Sequence, residues 1–218
     1  MALSFTGNLD RDALLRASGA VVDLVSAPVV SSAWDDESAL AGMTVGGLTR
    51  HLVSQPECAV EFLSTEAVPA HAPIVSLVQC YQLTDWFRAP VTAVENTSIR
   101  DDFNAMAAGG PEESMAILEQ SRANLPGALD AAGPTTYVPW QDCALSTDDF
   151  LAIRLMEVVV HADDLAASVG LATPAFDDDV LHPALALLAV LSALRHGQIA
   201  ALRALARQER AIRPAAAF

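Results

Sequence analysis

Apolar residues recur at helical spacing along most of the chain. Leu14, Ala17, Val21, Leu24 and Val25 line one face of a helix over residues 10–26, which Pro28 should stop. Ser31 to Gly42 reads as a polar loop carrying Trp34 and Asp35–Asp36. Thr44 is a suitable N-cap for a second helix that runs through Val45, Leu48, Leu52, Ala59 and Phe62 towards Glu66. Pro56 should kink or split it. Ile74, Leu77, Val78 and Tyr81 share the face of a third helix over 74–88, broken before Pro90, and the more polar 91–108 is also expected to be helical. Gly109–Gly110–Pro111–Glu112–Glu113 restarts a helix, with proline at a first helical position and acids that suit the dipole. It should last to Gly133–Pro134, before a loop over 135–145 with a short extended piece at Thr135–Val138. Ser146–Thr147–Asp148–Asp149 caps the next helix, which reaches Ser168 and ends at Gly170. Asp177 to Asp179 and Pro183 open a last helical region to about Ile212, interrupted at Gly197.

Composition supports the same picture. The chain is 52% apolar but only 6% aromatic, and its Ala and Leu content favours helix over strand. An all-α fold follows: a four-helix bundle over residues 1–170 and a C-terminal helical region, 171–218, packed on or beside it. All 12 basic residues are arginines, against 27 acids and a net charge of −15. This argues against a nucleic-acid partner, which requires a basic face. Five of those arginines cluster between Arg195 and Arg213, most simply a solvated face, although Arg195 could meet a substrate carboxylate. The lysine-free, alanine-rich composition suggests an actinobacterial source. Cys58, Cys80 and Cys143 are odd in number and lack CxxC spacing, which points to a reducing compartment. Asp10, Arg11, Asp12 and Arg16 fall where a signal peptide needs an apolar core, and the apolar run Ala184 to Leu194 is too short to span a bilayer. A cytoplasmic protein with no membrane partner is expected.

One helix breaks its own pattern. Phe150 to Ser168, FLAIRLMEVVVHADDLAAS, is apolar on most sides, yet Arg154, Glu157, His161 and Asp164 stand three, four and three residues apart. That spacing puts all four on one stripe. Burying a lone carboxylate and a lone imidazole is costly unless they are paired or hold a metal. Two readings follow. Glu157 and His161 at i,i+4 can aim an oxygen and a nitrogen at one ion. Alternatively, Glu157 pairs with Arg154 while His161 bonds to Asp164 or Asp163. Of the other histidines, His71 and His182 neighbour prolines in exposed-looking positions and His196 lies beside Arg195. His51, on the apolar stretch LTRHLV, is the one placed to add a third ligand. Cys58, two turns after His51, reads as a small buried hydrophobe before it reads as a ligand.

Three stretches resemble the actinobacterial mycothiol-dependent maleylpyruvate isomerase family, part of the DinB-like superfamily of metal-binding four-helix bundles. They are Trp34 with Leu40-Ala-Gly-Met-Thr-Val-Gly-Gly-Leu-Thr-Arg-His51-Leu; Arg154-Leu-Met-Glu157-Val-Val-Val-His161-Ala-Asp-Asp164-Leu, similar to R-x-x-E-x-x-x-H-x-x-D-L; and the tail from Arg195-His-Gly through Arg210 to Phe218. The chain departs from the family at Met43, often Trp, and at Gly47, frequently acidic. The resemblance implies a divalent metal, zinc-like, held by His51, Glu157 and His161 with one position open. Arg154 and Asp164 would orient those ligands. It further implies mycothiol as thiol co-substrate, an electrophilic or unsaturated acid as substrate, isomerase or S-transferase chemistry, and a monomer or homodimer. A non-catalytic binding module on the same bundle, and a structural protein whose polar stripe is an internal network, are the competing readings.

Overall fold

The computed structural model describes residues 3–64, 68–211 and 216–217. Its helices are α1 (Ala13–Ala20), α2 (Val22–Val25), α3 (Pro28–Ser32), α4 (Val45–Leu63), α5 (Leu77–Gln82), α6 (Asp85–Arg88), α7 (Val94–Met106) and α8 (Gly110–Ala131). A hairpin of β1 (Thr135–Val138) and β2 (Cys143–Ser146) leads into α9 (Thr147–Val169), α10 (Asp178–His196) and α11 (Gln198–Ala206). The fold is an all-α bundle. α4 lies against α8 and α9, and α1 closes the ring by packing on both. α7 covers α4, while α10 lies along α9 and α1. Leu14, Leu48, Leu52, Leu118, Leu125, Leu151, Leu155 and Met156 are fully buried between the bundle helices.

Several boundaries differ from the sequence pattern, each for a local reason. The helix expected over 10–26 is two pieces, and Pro28 starts α3 rather than stopping a helix. Proline drives Ala27 into an extended conformation, φ −61° and ψ 133°, and then serves as a first helical residue. α4 runs unbroken through Pro56, because that residue is buried among the bundle helices and their packing outweighs one missing backbone bond. The position where α4 was expected to end, Glu66, lies outside the described residues, as do Ile212 and Phe218. α5 begins at Leu77 because Ser76 and Gln79 form a capping box. Ile74, expected on that helix, is 68% exposed and instead bridges to Ala144.

The loop expected over 135–145 is largely an antiparallel hairpin with Thr135 opposite Ser146 and Val138 opposite Cys143. Its turn places Asp142 at φ 46°. α9 ends as its sequence demands, with Gly170 left-handed at φ 69°. By length and composition α10 could cross a membrane, since helical ends extend the apolar run of 184–194 to 19 residues. In this fold it buries Val180, Ala184, Leu187 and Leu191 against its neighbours.

The start of α9 does more than cap itself. Ser146 accepts the Asp149 N–H, as an N-cap should. Asp148 and Asp149 turn back and grip the N-terminal segment. Asp149 accepts from Phe5 N at 2.6 Å and Ser4 Oγ at 3.1 Å. Asp148 accepts from Gly7 N and from Arg11 Nε, both at 2.7 Å. Both carboxylates are buried, so deleting one removes two charge-assisted hydrogen bonds to half-buried or exposed donors. Asp149→Ala should cost about 1–3 kcal/mol. The measurement is the urea midpoint at unchanged m-value; an unmoved midpoint would show that the segment is not held there.

Candidate metal centre

The first turn of α4 is fixed from two sides, and this decides where His51 falls. Thr44 caps the helix by accepting from Gly47 N at 2.9 Å. The Trp34 indole seats on Gly46, where a β-carbon would lie only 2.6 Å from the ring, and its Nε1 donates to Ala107 O at 3.0 Å. Gly47 leaves room for the Asn104 side chain of α7. Asn104 Oδ1 accepts from Thr44 N at 2.9 Å, and its Nδ2 donates to Gly42 O at 3.0 Å. The indole leaves no space for a side chain at position 46, and one at position 47 would displace the Asn104 amide.

His51 from α4 meets Glu157 and His161 from α9. One donor atom from each of the three lies within 4.8 Å of the others. The His51 ring stacks on Phe103 of α7 with centroids 4.0 Å apart and 18° between planes. Its centroid is 4.2 Å from that of His161. His51 Nδ1 is buried and has no hydrogen-bond partner among the described residues. Burial, and next the charge of His161, push the His51 pKa well below the ordinary histidine value, so its ring is neutral.

The other two members are paired. His161 Nε2 bonds Glu157 Oε2 at 2.9 Å, and His161 Nδ1 bonds Asp164 Oδ2 at 3.4 Å. Burial alone would lower the His161 pKa, but its bonds to Asp164 and Glu157 carry it up to about 9. Burial would raise that of Glu157, and the His161 bond and charge, with Arg154, hold it at about 2. Without a metal, the site is thus an imidazolium between two carboxylates, facing a neutral second imidazole.

Of the two neighbours that the sequence singled out, Asp164 meets His161 directly. Arg154 does not pair with Glu157: its Nη1 donates to Gln55 Oε1 at 2.7 Å, and its charge reaches Glu157 without a hydrogen bond among the described residues. Gln55 Nε2 in turn donates to the His51 carbonyl at 2.9 Å. Arg154 therefore ties α9 to the backbone of α4 beside His51. Asp163, the other candidate partner of His161, takes the Thr173 hydroxyl instead. Gln55 and Phe103 were missed in the sequence. Gln55 had a usable signal, its i+4 spacing from His51, whereas Phe103 sits in a segment too polar to advertise a buried face.

The remaining candidates lie elsewhere. Cys58 is half-buried against the core and outside the cluster, with burial raising its thiol pKa. His71 bonds Asp142 at 3.0 Å, His182 is exposed near Asp178, and His196 bonds the Ala216 carbonyl at 2.6 Å. Arg195 Nη1 reaches the Ala217 carbonyl at 3.4 Å.

Residues 14–166 match the mycothiol maleylpyruvate isomerase N-terminal domain. The chain belongs to this family. The maleylpyruvate isomerase match spans α1 through most of α9, so it contains all four bundle helices and His51, Glu157 and His161. No curated protein and no solved structure gives a match.

Proposed function

We propose that this member of the maleylpyruvate isomerase family is a divalent-metal-dependent enzyme. It would use a low-molecular-weight thiol, mycothiol, as nucleophile towards an electrophilic or unsaturated acid. His51, Glu157 and His161 are its metal ligands in this reading. The observation that carries it is His51 Nδ1, a buried nitrogen without a partner in a ring set against a carboxylate and a second imidazole. An unsatisfied buried polar group costs about 1–3 kcal/mol, and a cation in the cluster removes the need for the lone pair to find a donor.

The donor set also fits. Two imidazoles and one carboxylate are the ligands of catalytic zinc, and three protein ligands leave a position open. A dication there supplies Lewis acidity and stabilises a bound thiolate at neutral pH. The protein's own groups prepare the site. Asp164 accepts from His161 Nδ1, which turns Nε2 towards the cluster. Gln55, steadied by Arg154, anchors the His51 backbone. Phe103 covers one face of His51 and keeps water from it. Addition of the thiol to a double bond, rotation and elimination would give isomerisation; displacement of a leaving group would give S-transfer. The three free cysteines suit the reducing cytoplasm in which such a thiol is kept.

Turnover tests the reading. Zinc-loaded protein should convert maleylpyruvate, or members of an electrophile panel, only when mycothiol is present, and Glu157→Gln should abolish this. Thiol binding without turnover on every substrate would assign a non-catalytic module instead.

A further inference from the structure

α11 is an amphipathic helix turned inside out. It packs on α10 with its small residues, Ala201 being buried and Ala204 half-buried. Its large apolar residues face outwards: Ile199 is 50%, Leu202 61% and Leu205 73% exposed. Their spacing of three puts them on one stripe, and Arg203, one turn after Ile199, flanks it. A surface helix ordinarily buries such residues against its own core, so the stripe marks a docking face. Charge sets this part of the chain apart as well. Residues 195–213 hold five arginines and one acid, a net +4. The whole chain is −15, so the remainder carries −19.

The other side of the bundle offers the complement. A groove of about 470 Å³ lies between α4 and α8. Val60 and Ile117, both set into the core, floor it with Ala116, and Glu57, Glu61 and Glu113 rim it. Glu57 is tied to Arg50 at 2.6 Å, and Glu61 and Glu113 are exposed. α10, which carries α11, lies on the α1–α9 side, so a chain's own α11 is remote from this groove. We propose that α11 of one copy docks in the α4–α8 groove of a second copy. Ile199, Leu202 and Leu205 cover the apolar floor, and Arg203 and Arg207 face the glutamates. Because stripe and groove lie on opposite sides, the contact is head-to-tail. Charge selects this occupant: two stripes face to face would bring arginines together, and an anionic membrane would repel the acidic body. The contact is independent of the metal reading, since it uses none of the proposed ligands.

Analytical ultracentrifugation of the full chain reads the contact. Average mass should rise above that of one chain across the micromolar range. Leu205→Glu changes an exposed residue, so the variant should keep the wild-type circular dichroism while self-association weakens by roughly tenfold or more. Glu113→Arg, on the groove, should act in the same direction. Mixing the two variants is decisive. The first keeps an intact groove and the second an intact stripe, so together they should form a one-to-one dimer that grows no further. A wild-type chain that stays monomeric throughout the range overturns the proposal. Association lost in Leu205→Glu but indifferent to Glu113→Arg places stripe against stripe and also overturns it. So does a mixture in which both variants stay monomeric. Wild-type monomer that instead sediments with phosphatidylglycerol vesicles assigns the stripe to a membrane and overturns the second copy as its occupant.

Discussion

His51→Ala should reduce bound metal from about one ion per chain to almost none, with the bundle still folded. The side chain contributes one donor atom to the cluster and a stacking contact to Phe103. Its loss strands no protein hydrogen bond, because Nδ1 makes none among the described residues. Elemental analysis of purified protein reads the first part and circular dichroism the second. Wild-type protein should lose stability on chelation. At a thousandfold excess of free metal over Kd, binding contributes about 4 kcal/mol, a shift on the order of 10 °C for a chain of this size. The alanine variant should not respond to chelator. Equal metal content in both proteins, or a wild-type melting temperature indifferent to chelator, would sink the ligand assignment. Loading should also depend on pH in one direction. His161 carries a proton up to about pH 9, and that proton lies between Nε2 and Glu157. A metal must expel it, so apparent affinity should rise about tenfold per pH unit until that value and then level off.

Gly46→Val should destabilise the fold by about 3 kcal/mol. Even a single added carbon would meet the indole of Trp34 at 2.6 Å. That ring is rigid and tied by its Nε1 to the Ala107 carbonyl, so it cannot swing aside without losing a hydrogen bond. Gly47→Ala provides the contrast. Its new carbon meets the amide tip of Asn104, which can rotate at the expense of its bonds to Thr44 and Gly42. The cost should be smaller, about 1–2 kcal/mol. Denaturant midpoints for the two variants measure this, and equal losses would show that the indole is free to move. Because the first turn of α4 sets the position of His51, Gly46→Val should also weaken metal binding in whatever fraction remains folded.

The bundle was legible in the sequence because three of its four helices are long and strongly patterned. α4, α8 and α9 carry clear start signals at Thr44, Gly110–Pro111 and Ser146, and α9 a clear stop at Gly170. Short elements were less legible. Pro28 can end one helix or begin another, and only the packing of Val30 into the core decides for α3. β2 is four residues long and almost wholly buried, so it offers no alternation to read. Pro56 looked disruptive because local propensity cannot register neighbours on both sides. In the site, the spacing of Glu157 and His161 was readable from helix geometry. That His51 faces them depends on how α4 lies against α9, which no local pattern encodes. Arg154 misled for the same reason: its nearest acid in sequence is Glu157, but its partner, Gln55, is 99 residues away.

The grip of Asp148 and Asp149 on the N-terminal segment has a bearing on how the chain is made. Phe5 and Asp149 are 144 residues apart, and Arg11 and Asp148 are 137 apart. On the ribosome, the first dozen residues emerge long before their acceptors exist. α1, which follows them, likewise waits for α9 to complete its packing. Closure of the bundle is therefore a late event in synthesis: α1 can meet α4 and α8 first, but its side towards α9 stays open until α9 has been made.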